Sequence, residues 1–520
     1  MLRAIGITPE IYPWLSSVGD AGYPLKETAD GIVPDLERRH RTRRRGAGQY
    51  YTPEPFVAAL LAETGLGTAV GAVLDPACGD GGFLVPLARA RIACGREHPL
   101  DGIHGIDLDA EALLVALARL YACAPRGGVP TLERRDFLLD PPPGRFRLVL
   151  GNPPYRVNLP AEVRNELERR YETAEGEKDL YTFFIESGMR RLEAEGTLLM
   201  LTSHTWLVNH QCAKIRRFVF GEHSAERLFL LPTRFFPEAP GVIPVVAEIR
   251  NAFPGEGWVQ VYDGYDGSGG WRSRRRAPAA SFLQPTGLRT ALADPGLKGL
   301  FDEMTGENPR LGAIARVGVG IQEALRREGR ASKFVSATPG GPTSVPVLRG
   351  REIEPFRTRW EGLYLDYGPH LAYAGDPDLF RGEKILYQNL RHETLPVRLV
   401  AALDREGYFP KNSLSYITKP EPPFTLEYLT GLLNSPLVNG WFGGAYFSFH
   451  VTVTQVRSIP VPVADASRRA SVEECARRLG RIPAGSPLPR ELCNALAAAV
   501  AACYFPDKDP AEILERLPAG

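Results

Sequence analysis

Short apolar runs alternate with longer segments of helical periodicity through the first half of the chain. The apolar runs include residues 146–150 and 196–203, and helical spacing of apolar residues marks residues 110–120 and 178–191. Strands that alternate with helices form parallel sheets covered on both faces. The pattern therefore predicts an α/β domain built on a doubly wound, Rossmann-like sheet.

The pattern changes after residue 250. Residues 253–300 are rich in glycine, proline and arginine, which favours a domain boundary. Residues 300–465 alternate short β-like runs with turns and predict a mixed α+β domain. Helical periodicity returns in residues 466–520, where we expect a helical C-terminal segment that packs through an alanine-rich stretch.

Polar side chains follow the predicted strands of the first half, at the point where each strand ends. They are Asp75, Asp107, Asp136 and Asn152. Ligands of open α/β sheets bind beyond the carboxyl ends of the strands. We therefore expect these four side chains to line one site.

The first of these strands leads into a glycine-rich turn. Gly79, Gly81 and Gly82 follow Asp75, but no lysine comes after them, so the turn is not a phosphate-binding loop. An acidic strand end suits a ligand with hydroxyls and a cationic amine better than a pyrophosphate. A carboxylate at Asp107 can accept hydrogen bonds from both ribose hydroxyls.

The third and fourth strand ends carry groups that suit planar rings. Asp136 can reach an adenine amino group, and Phe137 can pack on the base. Asn152 precedes two prolines, which fix two φ angles and remove two backbone donors, and Tyr155 follows them. This arrangement can accept hydrogen bonds from an exocyclic NH2 and cover the ring that carries it, although a proline-rich strand exit would look the same.

Two helix starts are also predicted. Thr52 is a suitable N-cap for a helix that begins at Pro53, and such an N-terminus favours an anion. Asp109 is predicted to cap the helix over residues 110–120. Either feature alone is typical of any capped helix.

Composition narrows the class of protein. A chain of 520 residues is expected to form two or three domains. It contains no run of 18 apolar residues, so no membrane span is predicted. The 7 cysteines are an odd number without a CxxC pair, which argues against disulfides and zinc and favours a cytoplasmic location. The net charge of +1 says nothing about binding partners, but arginines cluster in residues 38–45 and 272–276. Such clusters occur in solvated segments, and they are also what phosphate contacts require.

The order of these motifs resembles the γ class of adenine-N6 DNA methyltransferases, the TaqI type, which carries its own target-recognition domain. The similarity covers roughly residues 46–465 and includes three looser segments at 345–351, 432–435 and 459–462. It implies a class I methyltransferase fold, S-adenosyl-L-methionine (AdoMet) as cofactor and double-stranded DNA as partner. The cofactor-binding residues that it implies are Tyr51, Thr52, Asp75, Pro76, Ala77, Cys78, Gly79, Asp107, Leu108, Asp136 and Phe137.

The resemblance also implies the catalytic residues. Asn152, Pro153, Pro154 and Tyr155 would form the catalytic segment, in which the Asn152 oxygen and the Pro153 carbonyl accept the two N6 protons of a flipped-out adenine. Tyr155 and Phe236 would stack on that base, with Phe235 as the competing assignment for the second ring. Positioning and electrostatics would carry the methyl transfer, with neither a covalent nucleophile nor a metal.

The resemblance divides the chain into a basic N-terminal arm, a methyltransferase domain, a linker, a recognition domain and a helical segment. The predicted bounds are 1–45, 46–255, 256–300, 301–465 and 466–520. The recognition domain would contact DNA through basic and aromatic side chains. These are Arg316, Arg349, Arg351, Arg357 and Trp360.

Three other functions fit parts of the pattern. A protein-glutamine N5-methyltransferase would hold a planar NH2 group in the same way, but that family has no counterpart of residues 300–465. An RNA base methyltransferase is an alternative of similar standing. A non-catalytic DNA-binding subunit would not need intact cofactor and base motifs. None of the nine lysines has an acid two residues before it, as a PD-(D/E)xK nuclease requires, so we expect a stand-alone methyltransferase, with a separate restriction enzyme as a potential partner.

Overall fold

The computed structural model describes residues 52–517 except for short internal segments. The segments outside the description are 156–158, 176–178, 233–234, 238–241, 255–256, 286, 293–294, 324–333, 390–396 and 447–449. The predicted basic arm, residues 1–45, and Tyr51 lie outside the described residues. The chain forms two compact units, and the boundary between them in the sequence lies between residues 292 and 293.

The first unit is built on a nine-stranded sheet with the order β3-β2-β1-β4-β5-β7-β6-β8-β9. Strands β1 to β5 run parallel, whereas β7 is antiparallel to both β5 and β6. The strands are β1 (Val73–Asp75), β2 (Ile103–Asp107), β3 (Thr131–Arg134), β4 (Phe146–Gly151), β5 (Leu192–Ser203), β6 (Ser224–Leu230), β7 (Pro244–Arg250), β8 (Trp258–Tyr265) and β9 (Trp271–Pro278). The predicted doubly wound α/β sheet is confirmed.

Helices pack around this sheet and bury its central strands. β1 and most of β4 are buried, as expected for strands whose two faces are both covered. The helices of the unit are α1 (Glu54–Thr64), α2 (Leu84–Ala93), α3 (Ala110–Cys123), α4 (Ala161–Arg170), α5 (Leu180–Arg190), α6 (Thr205–Val208), α7 (Ala213–Arg217) and α8 (Gly287–Leu292). Short 3-10 turns at Leu66–Thr68, His210–Cys212 and Ala279–Leu283, and a π-turn at Phe218–Glu222, complete it.

The prediction of a linker over residues 256–300 is wrong, because this segment contributes two strands to the sheet. β8 pairs in parallel with β6, and β9 pairs with β8 as a hairpin. Val259 and Val261 are buried at alternate positions of β8, while the glycines between the strands form the hairpin turn. The Asp266 carboxylate accepts hydrogen bonds from backbone N–H groups of Ser268 and Gly270 and fixes that turn.

The second unit combines small sheets with helices. Its sheets have the orders β10-β19-β16-β17, β11-β15-β12-β18 and β13-β14. The strands are β10 (Arg316–Val319), β11 (Val335–Ser336), β12 (Ser344–Leu348), β13 (Ile353–Glu354), β14 (Arg357–Thr358), β15 (Tyr364–Asp366), β16 (Lys384–Gln388), β17 (Ala401–Asp404), β18 (Phe409–Pro410) and β19 (Leu414–Thr418). Two hydrophobic cores hold this unit together, one between the sheet of β16 and the helices and one among β12, β15 and β18.

Helices enclose the first of these cores. They are α9 (Pro295–Thr305), α10 (Leu311–Ile314), α12 (Leu426–Leu433), α13 (Pro436–Ala445), α14 (Val453–Arg457), α15 (Ala466–Gly480), α16 (Arg490–Tyr504) and α17 (Pro510–Glu515), whereas α11 (Pro377–Arg381) packs into the second core through Leu379 and Phe380. A 3-10 turn spans Gly350–Glu352. The alanine-rich segment falls in α16, which packs against α15 and buries Leu496 and Val500. No helix among the described residues is long and apolar enough to cross a membrane.

Candidate active site

The first unit brings the predicted strand-end residues to one edge of the sheet. β3, β2, β1 and β4 are neighbours and run parallel, so their carboxyl ends lie side by side. Asp75 and Asp107 are the last residues of β1 and β2, and Asn152 directly follows β4. Asp136 lies two residues beyond β3.

The Asp107 carboxylate connects the ends of β1 and β2. Its Oδ2 accepts a hydrogen bond from the backbone N–H of Gly79 at 2.8 Å, and its Oδ1 accepts one from the backbone N–H of Asp109 at 2.9 Å. The Cys78 N–H also donates to the Ile106 carbonyl at 2.8 Å. The turn after β1 is therefore attached to the end of β2, and Asp109 caps α3 as predicted by accepting from the N–H of Glu111.

Asp75 is a buried acid at the centre of this edge. Its side chain is 1% exposed and accepts a hydrogen bond from the backbone N–H of Ala77 at 3.1 Å. Burial raises the pKa of the Asp75 carboxyl well above its ordinary value, and the carboxylates of Asp107 and Asp80 raise it further. A cluster of acids in this position favours a cationic ligand.

Gly151, the last residue of β4, is required by its contact with Asp75. A Cβ atom on Gly151 would lie 2.5 Å from Asp75 Oδ1, which is closer than carbon and oxygen can approach. The absence of a side chain at Gly151 lets the Asp75 carboxyl reach the backbone directly before Asn152. The acid cluster and the amide are thus adjacent.

The Asn152 side chain is held by Thr52. Asn152 Nδ2 donates to Thr52 Oγ1 at 3.1 Å, and Thr52 is 5% exposed. The prediction that Thr52 caps the following helix is wrong, because Pro53 is the N-cap of α1 and no side chain caps that helix. The Thr52 hydroxyl is directed to the Asn152 amide instead, which leaves Asn152 Oδ1 as the acceptor available to a ligand.

Tyr155 is supported by residues that the sequence analysis missed. Its ring lies edge-on to Tyr181 with 5.9 Å between ring centroids, and the Tyr181 hydroxyl donates to Asp179 Oδ2 at 2.9 Å. The Leu180 N–H donates to the Tyr155 carbonyl at 3.2 Å. Asp179 and Tyr181 lie at the start of α5, where the sequence shows only a helix beginning, so no local signal marks them.

The two candidate stacking phenylalanines occupy different environments. Phe236 is 1% exposed, whereas Phe235 is half-buried and meets Phe56 at 4.8 Å and Tyr265 at 6.4 Å between ring centroids. The two rings contact each other edge-on at 4.9 Å. Tyr155 is itself only 9% exposed, so both assigned stacking rings are enclosed in this structure.

Three other predicted cofactor residues differ in their exposure and contacts. Leu108 follows Asp107 and is 62% exposed, so it offers apolar surface beside the carboxylate. Phe137 is buried and its ring packs on Phe184 at 5.5 Å, so it is not open to pack on a base. Asp136 Oδ1 accepts from the N–H groups of Leu138 and Leu139 and forms a local turn.

The predicted DNA-contacting arginines of the second unit are largely bonded within it. Arg349 donates to Glu352 at 2.9 Å and to Glu361 at 2.6 Å. Arg351 also donates to Glu361, but its side chain is 65% exposed. Arg316, the first residue of β10, is exposed as well.

Two further candidates of the second unit are structural. Arg357 is buried and donates to the carbonyls of Pro483 and Ser486, so its prediction as a DNA contact is wrong. The indole N–H of Trp360 donates to the Leu363 carbonyl at 3.0 Å. The acids that bind Arg349 lie 3 and 12 residues along the chain, whereas the carbonyls that bind Arg357 lie 126 and 129 residues away, beyond the reach of a local sequence pattern.

Two family models match the chain, one in each unit. The Eco57I restriction-modification methylase model matches residues 134–236, which include Asn152 and Phe236. The TaqI-like C-terminal specificity domain model matches residues 345–461. The matches therefore include the predicted catalytic segment and most of the predicted recognition domain.

Two curated type II methyltransferases are similar to this chain in sequence. The type II methyltransferase M.TthHB8I of Thermus thermophilus is 27% identical over 439 residues, which cover 80% of this chain and 91% of the relative. The type II methyltransferase M.PaeR7I of Pseudomonas aeruginosa is 30% identical over 179 residues, or 30% of each chain. The match to the second relative thus spans less than a third of its length.

Solved structures share the fold at low sequence identity. The type IIL restriction-modification enzyme MmeI, solved in complex with DNA, aligns with a TM-score of 0.59 at 13% identity and covers 94% of this chain and 76% of its own. The type ISP enzyme LlaGI aligns with a TM-score of 0.53 at 11% identity and covers 83% and 54%. These likenesses concern the fold alone.

The sheet order gives the first unit the Rossmann-like fold of class I methyltransferases. The two family models and the type II relatives support a DNA methyltransferase of a restriction-modification system, and the chain is similar to the TaqI type with a C-terminal specificity domain. The resemblance given by the sequence motifs is confirmed at this level.

Proposed function

We propose that the protein transfers a methyl group from AdoMet to the N6 amino group of a flipped-out adenine in double-stranded DNA. The observation that carries this proposal is the Asn152 amide, placed at the carboxyl end of β4 with its nitrogen bonded to Thr52. An amide oxygen presented beside a cofactor edge is an acceptor for an exocyclic NH2. Adenine carries such a group at N6.

The residues at the strand ends fit AdoMet. The buried Asp75 and the half-buried Asp107 favour a ligand that carries a cationic amine and a sulfonium. Asp107 can also take the ribose hydroxyls, and exposed Leu108 beside it can cover one face of the adenine ring. Gly81 has φ of +86°, and a Cβ added there would lie 3.3 Å from Ala116, so glycine suits both the backbone of this turn and its close packing against α3.

Bound AdoMet supplies the electrophilic methyl group. The chain's own contribution is to hold the target amine. Because the adenine N6 lone pair is delocalised into the ring, hydrogen bonds from the N6 protons to Asn152 Oδ1 and the Pro153 carbonyl would localise and orient it. A preorganised acceptor in such a site is typically worth about 10²-fold or more in rate.

Thr52 would keep this acceptor correctly oriented. An asparagine amide can rotate so that either its oxygen or its NH2 faces the substrate. The hydrogen bond from Asn152 Nδ2 to Thr52 favours the rotamer that presents the oxygen. Thr52 is then a positioning residue as well as part of the proposed cofactor site.

Base capture is assigned to Tyr155 and Phe236. Their low exposure implies that a flipped base would enter by displacing neighbouring side chains. Stacking on aromatic rings tolerates different bases, so specificity for adenine would come from the amine contacts.

The second unit would select the DNA site. Arg351 and Arg316 are exposed and remain candidates for DNA contacts, whereas Arg349 is held between two carboxylates. We also propose that a separate cognate restriction enzyme is a partner of the protein and that the protein is located in the cytoplasm.

Acceptor specificity is tested by incubation with tritiated AdoMet and one of three substrates: duplex DNA, RNA or a glutamine-containing release factor. We expect label in DNA, recovered as N6-methyladenine after nuclease digestion. Label in RNA or in protein would instead identify one of the two alternative methyltransferases. The Asn165→Ala variant, at an exposed position of α4, serves as an active control for the Asn152→Ala variant.

A further inference from the structure

The last strand of the nine-stranded sheet carries a row of arginines. Arg272, Arg274 and Arg276 of β9 are all exposed. Because side chains alternate between the two faces of a strand, these three lie on the same face. We call them the arginine strip.

Aromatic rings of β8 support two members of the strip. The Arg274 guanidinium lies over the Tyr262 ring at 5.3 Å, and that of Arg276 lies over the Trp258 ring at 5.4 Å. Tyr262 is buried, while Trp258 is 52% exposed. Guanidinium groups that stack on rings are held in place while their N–H edges stay available to an anion.

One acidic group pairs directly with the strip. Glu63 of α1 pairs with Arg274 at 3.0 Å. Asp263 and Asp266, at the end of the hairpin, accept hydrogen bonds from the backbone N–H groups of that hairpin. Among the described residues no carboxylate lies within ion-pair distance of Arg272 or Arg276, so these two guanidinium groups have no direct acidic partner.

The strip begins at the edge of the sheet that carries Asn152. β8 runs parallel to β6, so its last residue, Tyr265, lies at the carboxyl edge of the sheet, and β9 starts there at Trp271. A series of ring contacts of 4.8 to 5.3 Å connects this point to the stacking candidates. Its members are Trp271, Tyr265, Phe56, Phe235 and Phe236. From there the strip runs along the sheet for about 13 Å between its first and last arginine.

We propose that the arginine strip binds backbone phosphates of the duplex beside the target adenine. The strip starts at the edge of the sheet that carries Asn152, four successive ring contacts from Phe236, and stacked arginines suit phosphate recognition. The inference rests on the proposed function. Its rival is that charged residues on β9 only protect an edge strand from pairing with another chain.

The salt dependence of DNA binding tests the proposal in the full chain. We compare wild type with Arg272→Gln/Arg274→Gln/Arg276→Gln, on a duplex of arbitrary sequence about three helical turns long, by fluorescence anisotropy between about 50 and about 200 mM salt. The slope of log K against log salt is negative, and each lost phosphate contact reduces its magnitude by about 0.9. We expect the magnitude of the slope of the triple variant to be smaller by about two to three units.

A second triple variant controls for net charge. Arg126, Arg145 and Arg147 are also exposed, but they lie at the amino ends of β3 and β4, at the opposite edge of the sheet. Their replacement by glutamine removes the same charge, and its slope should stay within about half a unit of wild type. Thermal unfolding of both variants checks that the fold is intact.

The outcomes separate this inference from the proposed function. An unchanged slope in a folded strip variant, or an equal fall in the control, would overturn the inference. If the strip variant aggregates and its slope is unchanged, the inference is wrong and the arginines only protect the edge strand from pairing with another chain. Methylation of DNA by wild type alongside an unchanged slope refutes the strip alone, whereas a lowered slope without methylation of DNA by wild type refutes the proposed function alone.

Discussion

The two units use their polar side chains in opposite ways. In the first unit, Asp75, Asp107 and Asn152 come from three neighbouring strand ends and face one site. In the second unit, Arg349 and Arg357 are bonded to acids or carbonyls of their own unit. The difference indicates that the proposed reaction site is built into the fold, whereas the proposed DNA recognition would rest on the side chains that the second unit leaves exposed.

The largest expected effect comes from removing the second unit. A chain that ends after residue 292 keeps the whole nine-stranded sheet, which a cut near residue 252 would break by removing β8 and β9. We expect it to bind AdoMet but to lose discrimination between target and scrambled duplexes, which is commonly about 10³-fold or more. Calorimetry and competition binding measure the two properties, and retained discrimination would place sequence recognition in the first unit.

Replacement of Asn152 by alanine should abolish methyl transfer while AdoMet binding survives. The side chain is bonded to Thr52 and is assigned to the substrate amine, so the cofactor acids stay in place. We expect a fall of about 10²-fold or more in rate. Calorimetry with AdoMet and a methylation assay check this together, and activity above about a tenth of wild type would remove Asn152 from its role.

Replacement of Phe236 by alanine should weaken base capture only in part. Stacking of a base on an aromatic ring is worth about 1–3 kcal/mol, so we expect a loss of roughly tenfold in kcat/KM. With 2-aminopurine at the target position, the rise in fluorescence on binding should also fall. The matched control is Phe235→Ala, and an effect confined to that variant would transfer the role to Phe235.

A smaller effect is expected from Thr52→Val, which removes the hydroxyl and keeps the shape. One hydrogen bond is worth about 1 kcal/mol, so kcat at saturating AdoMet should fall about fivefold, separately from any rise in the Kd for AdoMet that the loss of a cofactor contact would cause. Thr52→Ser should restore kcat because it restores the hydroxyl. A loss confined to AdoMet affinity would make Thr52 a cofactor contact without a positioning role.

Much of the first unit could be predicted because its signals are local. Apolar runs followed by Asp75, Asp107 or Asn152 mark strand ends, and parallel strands bring such ends together. The bond between Thr52 and Asn152 joins residues 100 positions apart, so no local pattern shows it. The sequence instead suggests a helix cap, because threonine before proline is typical of one.

The errors in the second half have the same origin. Glycines in residues 264–270 indicate a turn equally in a linker and in a hairpin, and the alternation of buried Val259 and Val261 is the signal that favours a strand. The burial of Arg357 depends on the Pro483 and Ser486 carbonyls, which lie far along the chain. Charged residues of a recognition domain therefore cannot be assigned to DNA before their intramolecular partners are known.

The central claim is that the Asn152 site methylates adenine at N6. The most direct test is to express wild type and Asn152→Ala in a host that lacks DNA methylation and to sequence the host DNA for modified bases. The account predicts N6-methyladenine within one sequence context for wild type and none for the variant. Methylated cytosine with wild type, or equal N6-methyladenine from a folded Asn152→Ala variant, would contradict it.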